Sequence, residues 1–112
     1  MKTIFTTILL VLAIATFAQQ QKSKNAKFTT EISGNCDHCK QRIEKTALSI
    51  AGVKSASWNV ESKILTVIIN EQKTDLATVK KAIAKSGHDT DADKATPAIY
   101  TSLPQCCQYE RK

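Results

Sequence analysis

Several features that would permit a large or membrane-built protein are missing from this sequence. Its 112 residues predict one small domain, which makes a multidomain enzyme a poor reading. It carries no apolar run of the roughly 20 residues that a spanning helix needs. The longest such stretch, residues 4–18, is 15 residues and is broken by threonine. The residue directly after Ala18 is Gln19 and not a cysteine, which argues against a lipid-anchored start. Glycine (three) and proline (two) are scarce, and each glycine falls where an element should end. There is no long low-complexity tract.

What stands at the N-terminus reads as a removable secretory signal over residues 1–18. Lys2 gives the positive start, residues 8–15 the apolar stretch, and Thr16-Phe17-Ala18 a small-x-small cleavage site before Gln19. The expected mature chain is 94 residues, with 15 basic and 10 acidic side chains once Lys2 is removed. This predicts a periplasmic or secreted protein whose mature form does not span a membrane. Export removes nucleic acid from the set of partners, so the positive balance reads as a solvated surface.

Residues 19–26 are polar, without apolar periodicity, and read as a flexible lead-in. Phe28, Thr30 and Ile32 then alternate with polar neighbours, the period of a half-buried strand, and Ser33-Gly34-Asn35 ends it. Over 37–50 the period becomes helical, with Ile43, Ala47 and Ile50 on one stripe and Gly52 as the stop. Residues 53–60 alternate again, placing Ala56, Trp58 and Val60 on one face. A polar turn at 61–63 leads into 64–69, a β-branched run suited to a central strand. Thr74 or Asp75 can cap a second helix carrying Leu76, Val79 and Ile83, which Ser86-Gly87 closes. Residues 88–94 read as a weak closing strand. The order βαββαβ predicts an α+β, ferredoxin-like sandwich with two helices on one face of an antiparallel sheet. The predicted core is Phe28, Ile32, Ile43, Ala47, Ile50, Val53, Trp58, Leu65, Val67, Ile69, Leu76, Val79 and Ile83. Residues 95–112, with Ile99, Tyr100, Leu103 and Tyr109, are expected to pack back on the body as an irregular or briefly helical tail.

The chemistry concentrates in Cys36-Asp37-His38-Cys39, between the first strand and the first helix. Two thiols two residues apart on a loop entering a helix can face a common centre, and the helix N-terminus favours their thiolate forms. Lys40 and Arg42 follow and would add to that bias. At these residues the chain resembles the heavy-metal-associated domain family, which includes copper chaperones, the N-terminal modules of copper-pumping ATPases and the periplasmic mercury-binding protein. The resemblance runs over about 27–91 and includes Gly52-Val53 and Ser86-Gly87. The heavy-metal-associated unit is accordingly placed at 27–94. The resemblance implies a surface-exposed two-cysteine site for soft metals, most often Cu(I), with Cys36 and Cys39 as ligands and His88 in a loop beside the metal. The family usually has Met two residues before the first ligand. Here that position is Gly34, which predicts a less well braced loop.

Two thiolates satisfy Cu(I) or Hg(II) in near-linear geometry, whereas Zn(II) prefers four ligands. His88, Cys106 and Cys107 are possible auxiliary ligands, and a tail folded over the Cys36 loop would open a three- or four-ligand site to Zn(II) or a better shielded Cu(I). His38 is expected to face solvent, and Trp58 to lie in the core. The reading is a non-enzymatic protein that takes up Cu(I) and either passes it by ligand exchange to a metal-accepting or metal-donating protein, such as a copper transporter, or sequesters it. One alternative is a thiol–disulfide oxidoreductase in which Cys36 attacks and Cys39 resolves. The chain lacks both the length and the βαβ opening of a thioredoxin-like domain, and no candidate cis-proline lies near the site. Another alternative is an interaction module whose cysteines form two structural disulfides.

Overall fold

The antiparallel sheet is organised around its middle strand. The computed structural model describes residues 22–112. The expected signal segment 1–18 and the start of the lead-in lie outside the described residues. The elements are β1 (Ala26–Glu31), α1 (Asp37–Leu48), β2 (Val53–Trp58), β3 (Ile64–Ile69), α2 (Leu76–Lys85), a short α3 (Pro97–Thr101) and a 3-10 turn at Gln105–Cys107. The strand order is β1-β3-β2, so the β-branched run does take the centre. Leu65, Val67 and Ile69 of β3 are fully buried on one face. Thr30 and Phe28 lie opposite the first two in register, and Ala56 and Trp58 flank them from β2. Ile43 and Ala47 of α1 and Val79 and Ile83 of α2 join the same buried cluster, which gives the ferredoxin-like α+β arrangement.

Local chemistry sets the ends of the elements. Asp75 caps α2, its carboxylate accepting from the Thr78 N–H at 2.8 Å. The chain is tied down before β1, since the Glu71 N–H donates to the Ser23 carbonyl at 2.8 Å. α1 is joined to β2 through Glu44, whose Oε2 accepts from the Trp58 N–H at 2.8 Å and from Lys40 Nζ at 2.6 Å.

The closing strand expected at 88–94 does not form. A single bridge between Ile32 and Thr90 is the extent of its pairing with β1. The Thr90 hydroxyl accepts from the N–H groups of Ala92 and Asp93, at 3.2 and 2.9 Å, and turns the chain away from the sheet. Of the predicted core, Phe28, Ile50, Val53 and Leu76 are partly buried at its margin. Leu103, Cys107 and Tyr109 of the tail take buried places in the cluster instead. Among the described residues, no helix is long and apolar enough to cross a membrane.

Candidate metal centre

Cys36 is the N-cap of α1, in extended conformation, and Cys39 lies in the first helical turn, on the same stripe as the buried Ile43 and Ala47. This places the two sulfurs 3.5 Å apart. Cys39 is fully buried and Cys36 half-buried, so the pair is not the exposed surface site that the family resemblance implies. The Asn35 side chain steadies the inner thiol, its Oδ1 accepting from Cys39 Sγ at 3.3 Å.

The loop is braced, contrary to the expectation drawn from Gly34. A Cβ on Gly34 would lie 2.9 Å from Trp58 Cη2 and 3.1 Å from Cys39 Cβ, so the indole occupies the space beneath the loop. Trp58 Nε1 donates to the Ile32 carbonyl at 3.1 Å, which fixes the ring in place. Lys40 is occupied by Glu44 and by the Trp58 carbonyl, at 2.8 Å from the latter.

His88 is fully buried. Its Nδ1 is 2.9 Å from the Ser33 carbonyl, which can only accept, so the bond belongs to the Nδ1-protonated tautomer. Burial, reinforced by the charge of Arg42, holds its pKa below the ordinary value despite the Ser33 bond and Asp89. His88 therefore supports the loop from behind. The sulfur atoms of Cys36, Cys106 and Cys107 lie within 4.8 Å of one another; Cys39, which meets Cys36 at 3.5 Å, and His88 are not part of that group of three. His38 is exposed.

The tail folds over the loop and carries the second cysteine pair onto the first. Cys107 Sγ is 3.8 Å from Cys36 Sγ and 4.0 Å from Cys106 Sγ, and the Cys36 thiol also reaches the Cys106 carbonyl at 3.1 Å. Cys107 is fully buried, and all four thiols are free. A latch two residues further on holds this position. The Tyr109 hydroxyl donates to the Gly87 carbonyl at 2.7 Å and accepts from the Asp89 N–H at 2.8 Å. Arg111 grips both oxygens of Asp89, at 2.9 Å each. Gly87, at φ +118°, leaves room for Leu103, since a Cβ there would stand 2.7 Å from its Cδ2.

The thiols differ in acidity. Burial works to raise the pKa of Cys36, but the backbone of Cys39 and His38 and the thiols of Cys39 and Cys107 outweigh it, leaving Cys36 below its ordinary value. Burial and the neighbouring sulfurs push Cys107 strongly upward. Cys36 is thus more readily ionised than Cys107. Asp89 feels burial most, but Arg111, the Ala95 N–H and Tyr109 hold it below the usual carboxylate value. Sequence reasoning missed the latch. Asp89, Tyr109 and Arg111 share no spacing that would link them, although the apolar residues of the tail signalled that it must bury something.

A donor set of sulfur alone suits soft metal ions rather than hard ones. The chain is similar to the copper chaperone CopZ of Staphylococcus epidermidis, 31% identical over 55 residues that cover 49% of this chain and 81% of that protein. It is 34% identical over 55 residues to the CopZ of Staphylococcus aureus, with the same coverage. Among solved structures, a CopZ metallochaperone aligns with TM-score 0.57 at 30% identity, over 58% of this chain and 98% of that one. The Cu(I)-loaded N-terminal domain of a potential copper-translocating P-type ATPase from Bacillus subtilis aligns with TM-score 0.56 at 31% identity, over 59% of this chain and 84% of that one. The model of the heavy-metal-associated domain matches residues 31–89, from the end of β1 to the latch carboxylate, and the chain belongs to that family.

Proposed function

We propose that this protein is an exported Cu(I) carrier that binds its cargo through Cys36 and Cys39 and passes it on by exchange of thiolate ligands. The observation that carries this reading is the pair of sulfurs 3.5 Å apart at the first turn of α1, with Cys36 predisposed to ionise. Two thiolates are enough for a soft monovalent ion, and the reacting sulfurs are the only chemistry the site needs. No substrate is altered, so the protein acts as a carrier and not as an enzyme. The similarity to CopZ and to a Cu(I)-loaded ATPase domain supports copper over Hg(II) or Zn(II) as the cargo, and a copper transporter as the exchange partner. The signal-like residues 1–18 support export. The positive surface favours an acidic partner and speeds encounter.

Titration of the reduced protein with Cu(I) against a chromophoric chelator tests the site. The wild type is expected to withdraw one copper per chain, and Cys36→Ser/Cys39→Ser none. Equal uptake by the two would overturn the assignment. The acidified Cys36 beside Cys39 also suits a thiol–disulfide exchanger. Rapid turnover in an insulin-reduction assay would favour that chemistry over metal carriage.

A further inference from the structure

The spacing of the sulfurs points beyond a two-coordinate ion. With metal–sulfur bonds of about 2.3 Å, neighbouring sulfurs stand about 3.8 Å apart in a tetrahedral site, about 4.0 Å in a trigonal one and about 4.6 Å in a linear one. Cys36 to Cys107 is 3.8 Å and Cys107 to Cys106 is 4.0 Å. Cys36 to Cys39, at 3.5 Å, is shorter than all three separations. Cys36 is the hub, with the helix thiol on one side and the tail pair on the other.

We propose that the C-terminal tail is a capping arm whose Cys106–Cys107 pair supplies a third thiolate to the ion held at Cys36 and Cys39, so that the chain covers its own cargo. This rests on Cu(I) binding at Cys36 and Cys39. The arm is built to stay closed. Tyr109 and Arg111 fasten it to Gly87 and Asp89, and the segment so fastened ends on the loop that His88 braces from behind. Each sulfur that becomes a ligand releases its proton to water. A receiving protein that donates a thiolate competes with the tail for the third position. Release therefore requires the arm to be displaced, and the chain holds copper until such a partner engages it.

X-ray absorption and chelator-release kinetics on the full reduced chain loaded with one Cu(I) test the proposal. The wild type is expected to show three sulfurs around copper. Cys106→Ser/Cys107→Ser should show two, a shorter mean bond, and release to the chelator at least about tenfold faster, because an intramolecular ligand has been lost. Arg111→Gln keeps every thiol and loosens only the latch. It should also release faster, which separates loss of closure from any packing defect caused by serine at the buried Cys107. Two sulfurs in the wild type, or equal release from wild type and both variants, would overturn the capping arm while leaving the Cys36/Cys39 carrier intact. Failure of the wild type to bind copper at all would overturn both.

Discussion

Trp58 fills the space that a side chain on residue 34 would need. With Trp58 Cη2 only 2.9 Å from an ideal Cβ at Gly34, glycine and indole form one packing unit beneath the cysteine loop. The ring is fully buried and cannot move aside easily, since its Nε1 is bonded to Ile32 and its backbone N–H to Glu44. Gly34→Ala is therefore an overpacking change and is expected to cost about 1–3 kcal/mol. Urea unfolding monitored by the fluorescence of Trp58 would measure it. An unchanged midpoint would show that the indole is not wedged.

The latch supports a prediction of its own. Arg111 satisfies both oxygens of Asp89, whose side chain is 9% exposed, so Arg111→Ala leaves a buried charge without its main partner. A loss of about 1–3 kcal/mol is expected. It should appear as faster amide exchange at Cys107 and Tyr109 with little change in β3. Uniform loss of protection across the sheet would contradict a local latch.

His88 makes stability depend on pH. Its folded pKa lies below the ordinary 6.5 because burial disfavours the charged ring. As pH falls through 6.5 the unfolded chain takes up a proton that the native ring refuses. The stabilisation is thus present above that pH and declines below it. Unfolding measured at pH 7 and pH 5 should show a drop for the wild type and a smaller one for His88→Gln, whose amide can still donate to Ser33. An equal drop in the two would place the titration elsewhere. Copper stoichiometry should be the same in both, since the proposed ligands are the thiols and the imidazole Nδ1 is engaged by the Ser33 carbonyl.

Much of the fold was legible because each central element announces its own period. Leu65, Val67 and Ile69 alternate to one face, and Ile43 and Ala47 repeat by one helical turn. The Cys36–Cys39 spacing reads as directly, because two thiols at a helix start are a local relationship. The failures were non-local. Thr90 reverses the chain through its hydroxyl, which ended the fourth strand after one bridge. The brace under the loop pairs positions 34 and 58, and the latch pairs 89 with 111. No periodicity joins such residues. That the tail would bring Cys107 within 3.8 Å of Cys36 depends on those contacts, so the second cysteine pair acquired its meaning only in three dimensions.

The most direct measurement is the metal content of the protein isolated anaerobically from its native compartment, for the wild type and for Cys36→Ser/Cys39→Ser. The prediction is about one copper per wild-type chain, held as Cu(I), and none on the variant. Zinc in place of copper, equal metal on both proteins, or a metal-free wild type carrying a Cys36–Cys39 disulfide would contradict it.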